Sequence, residues 1–270
     1  MHSTKPYHFF RWAGGKNWLI KYLDQLLPDH FENYHEPFLG GGSIFLSISP
    51  KKKSFLTDIN TELINAYIKL RNDLDKVWSI IIKFKNNKDD YYRIRNNYNK
   101  VNKLEKAAMF IYLNRTSFNG IYRVNLKGKY NVPYGYKNYK ILFDYDKMVK
   151  LSNKLQNSYL YDCDFELTLN NIKKGDLVFL DPPYTISKNK DSFIKYNEKL
   201  FDWKNQERLA AYINKLNERK VKFILSNAYH ENILDLFGSF GNIQIYNRSS
   251  VVGGKKAKRG TYKEVIIKNY

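Results

Sequence analysis

Cysteine is almost missing from this sequence. Cys163 stands alone among 270 residues, which excludes an internal disulfide framework and a zinc site built from several thiolates, and fits a reducing compartment. The five histidines show no metal-ligand spacing, so no metal site is expected. No apolar run approaches the roughly 20 residues that a membrane-spanning helix needs. The opening His2-Ser3-Thr4-Lys5 lacks the apolar stretch of a signal peptide. A soluble, cytoplasmic protein is the expectation. Acidic residues are the minority charge, 26 against 46 Lys and Arg, leaving a formal charge of +20. Prolines number only 7, which makes the adjacent pair Pro182-Pro183 conspicuous.

The excess of cations favours a polyanionic partner, DNA or RNA. The same chain is crowded with Lys, Asn, Ile and Tyr, as an AT-rich coding sequence would also dictate. With 43% hydrophobic residues, a chain of this length supports one α/β domain with a sizeable insertion, or two modest domains.

The stretch Asp176-Leu177-Val178-Phe179-Leu180-Asp181-Pro182-Pro183-Tyr184-Thr185 organises the reading. Val178, Phe179 and Leu180 form the continuous apolar run of a parallel strand covered on both faces. Pro182 and Pro183 cannot continue a central ladder because they have no N–H to donate. The strand therefore stops near Asp181, and in open α/β sheets ligands sit beyond the carboxyl ends of strands. A planar amino group on a nucleobase is a poor nucleophile, because its lone pair is delocalised into the ring, until both N–H bonds meet acceptors. Asp181 supplies one acceptor, the Pro182 carbonyl the second, and Tyr184 a flat face to stack on the base. Taken alone, Asp-Pro-Pro-Tyr is equally a turn.

Upstream, Phe9-Phe10-Arg11-Trp12-Ala13-Gly14-Gly15-Lys16-Asn17-Trp18 precedes a helical pattern through Leu19, Ile20, Tyr22, Leu23, Leu26 and Leu27. Gly14 and Gly15 let a ligand approach the backbone closely, although the full spacing of a phosphate-binding P-loop is missing. Next, His35-Glu36-Pro37-Phe38-Leu39-Gly40-Gly41-Gly42-Ser43 reads as strand end, glycine loop and helix start. Ser54-Phe55-Leu56-Thr57-Asp58 is a second short strand closing on an acid. Glycines that admit a nucleoside, followed by a carboxylate for ribose hydroxyls, form the general dinucleotide-fold arrangement. The third glycine of a dinucleotide fingerprint would fall at Phe45, which argues against NAD and for a nucleoside without pyrophosphate, such as S-adenosylmethionine.

From Glu62 to about Asp144 helical spacing dominates: Leu63, Ile64, Tyr67, Ile68, Leu70; then Leu74, Val77, Trp78, Ile81, Ile82; then Ala107 to Leu113. The region reads as a mostly helical insertion, with a polar, basic stretch from Lys83 to Lys106. It closes in a hairpin: Asn119-Gly120 marks a turn, Ile121 to Asn125 and Tyr130 to Pro133 the arms, Leu126 to Lys129 the connection. A two-stranded ribbon fits the major groove, where Arg reads guanine through two hydrogen bonds. Arg115, Arg123, Lys127 and Lys129 supply charge, and Phe118 or Tyr122 a wedge. An ordinary solvated hairpin has the same pattern.

After a helix from Tyr145 to Gln156, Tyr159-Leu160-Tyr161 is a strand candidate leading to Asp164-Phe165, an acid and an aromatic suited to adenine. The Asp181 strand follows, then a Lys/Asn-rich loop from Ile186 to Tyr196. A helix from Asn205 to Glu218 and a strand from Val221 to Ser226 complete a βαβ unit. Lys255, Lys256, Lys258 and Arg259 lie in a glycine-rich loop suited to phosphate contacts, or simply to solvent, before a last strand from Glu264 to Lys268.

Five blocks occur in order: Trp12-Ala13-Gly14-Gly15-Lys16; Glu36-Pro37-Phe38-Leu39-Gly40-Gly41-Gly42-Ser43; Asp58-Ile59-Asn60; Leu113-Asn114-Arg115 with Phe118-Asn119-Gly120; and Asp181-Pro182-Pro183-Tyr184. Together they resemble the Dam-type (D12 class) DNA adenine-N6 methyltransferases through nearly the whole chain. The resemblance implies an α/β fold, a Rossmann-like seven-stranded sheet that binds S-adenosylmethionine, with an inserted, mostly helical target-recognition domain carrying the hairpin. It implies a discontinuous catalytic domain, 1–60 and 145–270, around a recognition domain, 61–144. It places S-adenosylmethionine on Trp12, Ala13, Gly14, Gly15, Lys16, Phe38, Gly40, Gly42, Ser43, Asp58, Asp164, Phe165 and Asp181, and catalysis on Asp181, Pro182, Pro183 and Tyr184. Contact with double-stranded DNA falls on Arg11, Arg115, Phe118, Asn119, Ile121, Arg123, Pro133, Lys255 and Lys256. The implied target is adenine in GATC, flipped from the duplex and methylated directly. One departure stands out: Arg11 occupies the position of a guanine-contacting lysine in the family pattern, and the two are not interchangeable. Other readings stay open, namely another target sequence, an RNA substrate, or a DNA-binding regulator on an inactive methylase fold. A cognate restriction endonuclease is a possible partner, and no obligate protein partner is evident.

Overall fold

The computed structural model describes residues 9–125, 127–185, 201–249 and 261–270. Its seven strands are β1 (Tyr34–Glu36), β2 (Ser54–Thr57), β3 (Ser158–Tyr161), β4 (Leu177–Leu180), β5 (Lys222–Ala228), β6 (Asn242–Ser249) and β7 (Thr261–Lys268). They form one sheet in the order β3-β2-β1-β4-β5-β7-β6. The α-helices of the described residues are α1 (Leu23–Leu26), α2 (Ser43–Ser47), α3 (Thr61–Asn72), α4 (Leu74–Ile81), α5 (Lys88–Asn97), α6 (Lys103–Thr116), α7 (Tyr145–Leu155), α8 (Trp203–Glu218) and α9 (Glu231–Phe237). None is long and apolar enough to cross a membrane.

By contacts the chain divides into two compact units. The second takes Lys21–Phe38, Pro50–Phe55 and Asp164–Tyr270, within the described residues. Its centre is β4, whose four residues are all buried and which has parallel partners at both edges: Tyr34↔Leu177 with β1, and Leu177↔Lys222 through Leu180↔Leu225 with β5. The strand order turns back between β1 and β4, the switch point beyond whose carboxyl ends open α/β sheets bind ligands. On one face α8 buries Gln206, Leu209, Ala210, Ile213 and Leu216, a stripe at helical spacing, against Val178, Leu180, Phe223 and Leu225. Each large apolar side chain buried this way contributes roughly 1.5–3 kcal/mol. The Asp202 carboxylate starts α8 by accepting from Asn205 N–H at 3.0 Å. β7 runs antiparallel between β5 and β6. β6 adds to the strands read from sequence; Ile243 and Ile245 alternate along it but are exposed, so no buried face announces it.

The first unit takes the described residues of Met1–Ile20, Leu39–Ser49 and Leu56–Cys163. Here α6 is buried nearly all round, packed by α3, α4 and α5. A reciprocal capping box between Asn102 and Glu105 begins it. α5 lies in the polar stretch that carried no helical signal from its aliphatic residues. Its inner stripe is Tyr91 and Ile94, continued by Tyr98, so tyrosines do the packing that leucines would advertise. The hairpin is looser than two regular arms, with isolated bridges Ser117↔Tyr134 and Val124↔Tyr130. Its turn is tight, with Asn119 and Gly120 both left-handed at φ 54° and 67°. The N-terminal helical pattern is a 3₁₀ segment, Asn17–Tyr22, running into the short α1.

At the amino end of β4, Asp176 is buried and takes four hydrogen bonds. His35 Nε2 and Lys173 N–H donate to one oxygen, the Asn33 side chain and N–H to the other. Burial alone would push this carboxyl up, but the bonds from His35, Lys173 and Asn33 hold it below its ordinary 3.8. A carboxylate depressed in the fold contributes stability above its unfolded pKa and loses it as pH falls through the folded value. Unfolding free energy is therefore expected to drop on acidification below about 4, and Asp176→Asn to remove that part of the acid limb. Denaturant titrations at several pH values check this, and identical acid limbs in the two proteins would contradict it.

Candidate active site

The glycine loop of the first unit is built around Trp12. Gly40 has φ +48°, and a Cβ there would stand 2.6 Å from Trp12 Cδ1; one on Gly41 would stand 3.1 Å from Trp12 Cβ. Glycine is required because indole and main chain share that space. Gly40 N–H donates to Asp58 Oδ2 at 2.8 Å, and Asn60 N–H to Oδ1 at 2.9 Å. Burial raises the Asp58 carboxyl above its ordinary value, with the two N–H groups opposing. The Tyr67 hydroxyl donates to the Gly40 carbonyl, and Ser43 Oγ accepts from Lys16 N–H at 3.0 Å. Lys16 is only 1% exposed, its ammonium donating to Gly14 O at 2.8 Å. Trp12, Gly14, Lys16, Gly40, Ser43 and Asp58 are thus one cluster, with Ala13 and Gly14 exposed at its edge. Ile59, not anticipated as a site residue, follows Asp58 and is 74% exposed, an apolar face beside the carboxylate.

In the second unit Asp181 leaves β4 where the prolines end the ladder. The loop is held at three successive residues. Gln206 Nε2 donates to the Pro183 carbonyl at 3.3 Å, the Tyr184 hydroxyl meets Glu264 and Ser226, and Thr185 Oγ1 donates to Phe201 O at 2.6 Å. Asn227 Nδ2 in turn donates to Gln206 Oε1. Burial first, then the charges of Asp181 and Glu264, lift the Tyr184 phenol well above its ordinary value. Tyr34 is lifted in the same way by burial, by Glu36 and by Asp181. The Asp181 charge is therefore felt by both rings. Phe38 and Phe165 lie 5.3 Å apart by ring centroids, and Asp164 pairs with Arg208 at 2.8 Å. Sequence reasoning missed Gln206, Asn227 and Glu264; a buried Gln on the inner stripe of α8 was the one local signal.

The candidate nucleic-acid contacts of the first unit fall into two groups. Phe118, Asn119, Ile121, Arg123 and Pro133 are all exposed, and Phe118 N–H donates to the Pro133 carbonyl, joining the two sides of the hairpin. Arg123 Nε donates to Asn131 Oδ1 at 2.8 Å. Tyr122 stacks on Trp12 at 5.9 Å with 19° between planes, tying the hairpin to the glycine cluster. The second group is Arg11, Arg115, Lys137 and Tyr139. The buried side-chain amide of Asn114 accepts from Arg11 N–H at 2.9 Å and donates to Arg11 O at 2.8 Å. Gly120 makes room for the Arg11 stem, since a Cβ would stand 2.3 Å from its Cδ. The Arg115 guanidinium lies 4.3 Å over the Tyr139 ring. Among the described residues Arg11 Nη1 and Arg115 Nε find no protein acceptor. Burial, joined by Arg11 and opposed by Tyr139, lowers the Arg115 pKa; burial and both arginines lower that of Lys137. Among the described residues no acid pairs with these three cations, an arrangement chemically suited to an anion. Lys137 and Tyr139 were not read from sequence. Lys255 and Lys256, the 186–196 loop and Leu126 of the hairpin connection lie outside the described residues.

Comparison with known proteins gives one family. Residues 12–251 match the family described as D12 class N6 adenine-specific DNA methyltransferase. The type II methyltransferase M1.LlaDCHI of Lactococcus lactis subsp. cremoris is 33% identical over 97% of this chain and 95% of that protein. The type II methyltransferase M.MjaIII of Methanocaldococcus jannaschii is 34% identical over 99% and 100%. The DNA adenine methylase of Escherichia coli K12 is 33% identical over 84% and 81%.

Gly40→Ala adds strain at positive φ, worth about 1–3 kcal/mol, and drives a methyl group into Trp12. Affinity for S-adenosylmethionine, measured by titration calorimetry, is expected to fall at least about tenfold. Unchanged affinity would show that the cradle does not shape the binding site.

Proposed function

The chain belongs to the D12 class of N6 adenine-specific DNA methyltransferases, and from that premise we propose that it marks adenine in GATC duplex DNA by direct transfer to a flipped-out base. The observation that carries the reading is the rigid end of β4, where Asp181 and the prolines follow four buried residues. There Asp181 and the Pro182 carbonyl accept the two hydrogens of the adenine amino group. Engaging both favours a pyramidal nitrogen and aims its lone pair. The Tyr184 ring stacks on the base and makes up part of the stacking lost from the duplex. The loop needs no rearrangement, because Gln206, Ser226, Glu264 and the Phe201 carbonyl already hold it.

The methyl donor is S-adenosylmethionine, which when bound supplies a methyl group on positively charged sulfur, an electrophile that needs no further activation. In the first unit, Asp58 suits ribose hydroxyls, since each oxygen takes only one N–H from the main chain and can accept again. Trp12, Ala13, Gly14, Gly15, Lys16, Gly40, Gly42 and Ser43 line the same cluster, and Ile59 offers an apolar face for the adenine ring. In the second unit, Phe38, Asp164 and Phe165 serve the purine.

On the DNA side, Arg123 reads a guanine edge, Phe118 enters the stack, and Asn119, Ile121 and Pro133 complete the groove surface. Arg11 reaches a base from a backbone that Asn114 clamps. Arg115 and Lys137 take a phosphate, which adds affinity but no sequence information. Relatives named as type II methyltransferases support a role beside a restriction endonuclease that cuts the same sequence.

Asp181→Ala is expected to lower methyl transfer by about a thousandfold or more, with duplex affinity changed less than about threefold, as read by tritiated methyl incorporation and fluorescence anisotropy. Transfer near the wild-type rate would refute the assignment.

A further inference from the structure

The buried carboxylate of Glu264 touches neither the base nor the methyl donor in the reaction above. It is 3% exposed and sits on β7, opposite Ala228 of β5 and Tyr246 of β6. Side chains alternate along strands, so Ser226, two residues before Ala228, and Arg248, two after Tyr246, share its face of the sheet. Three neighbouring strands thereby line up Ser226, Glu264 and Arg248. Arg248 Nη1 donates to Glu264 Oε1 at 2.6 Å, and the Tyr184 hydroxyl donates to Oε2 at 2.8 Å. Ser226 Oγ lies 2.9 Å from the same hydroxyl. A phenol has one hydrogen; since Glu264 receives it, Ser226 must donate to the phenolic oxygen. The far end of the ring is thus held from two directions by two strands.

A phenylalanine would present the same face to a base. What the hydroxyl adds is a fixed plane and height. An ionised carboxylate is the stronger acceptor, and its burial is tolerable because Arg248 balances the charge. We propose that Glu264, paired with Arg248, is a positioning residue that latches the Tyr184 ring where the target adenine stacks, an inference that rests on the reading of Tyr184 given above. Glutamine keeps the shape but not the charged acceptor: with its oxygen on Arg248, its amide nitrogen faces the phenol, which must then accept and turn its hydrogen to Ser226, a weaker neutral contact.

The test uses the full chain: single-turnover transfer to a target duplex at saturating S-adenosylmethionine, with duplex affinity by anisotropy, for wild type, Glu264→Gln, Tyr184→Phe and the double variant. Each single change is expected to slow transfer about tenfold while moving duplex affinity less than about twofold, and the double variant to be no slower than the slower single. A wild-type rate in Glu264→Gln overturns the latch, as does the same loss from that change with and without the hydroxyl. Tyr184→Phe keeps the ring and the Glu264–Arg248 pair, so it decides the matter if Glu264→Gln fails to fold: a wild-type rate there also overturns the latch. Failure of the underlying reading looks different. Tyr184→Ala transferring as fast as Tyr184→Phe shows that the ring does not stack, and a wild type that leaves adenine unmarked removes the reaction; either result takes the latch with it.

Discussion

A strand that is covered on both faces and then meets two prolines has nowhere to go but out of the sheet. That constraint, at Leu180-Asp181-Pro182-Pro183, is the one on which the remaining features depend. The ladder with β5, which ends on Leu180↔Leu225, fixes Leu180 to within the tolerance of a buried core. Asp181 inherits that precision, and Pro183, Tyr184 and Thr185 beyond it are each tied down by a separate contact. Preorganisation of this kind is what acceptors for a weakly nucleophilic amine require, because a loop that had to be ordered at the moment of reaction would lose much of the gain.

Charge is distributed with the same logic. A chain with a formal charge of +20 nevertheless keeps Glu36, Glu264 and the charge of Asp181 around buried tyrosines in the second unit. The tyrosines stay neutral, so they serve as donors and stacking faces and add no further negative charge. The first unit does the reverse. Arg11 and Arg115 lie over the Tyr139 ring, and burial lowers the pKa of Arg115 and of Lys137 with no acid among the causes. Under the proposed function, a phosphate of duplex DNA is the anion that these cations suit.

Much of this was legible in the sequence, because its signals were local. The buried run ending in Asp181-Pro182-Pro183, the glycine loop followed by Asp58, and the Asn119-Gly120 turn each report on a few consecutive residues, and each stands where it was expected. What escaped depends on register or on long-range contact. Glu264 reads as one acid in a β-strand until the antiparallel pairing with β5 and β6 lines it up with Ser226 and Arg248. Asn114 reads as a polar residue near the end of a helix, yet its amide pairs with a main chain 103 residues away. Gly120 looks like turn chemistry alone, although it also clears space for Arg11. α5 hid because tyrosines form its inner stripe.

The central claim is that a carboxylate and a neighbouring main-chain oxygen capture the exocyclic amine of adenine. The most direct measurement is base-resolution mapping of N6-methyladenine in unmethylated duplex DNA incubated with the purified chain and S-adenosylmethionine. The account predicts a methyl group on adenine N6, confined to one short sequence, GATC. Methylation of cytosine, or DNA left wholly unmarked, would contradict it.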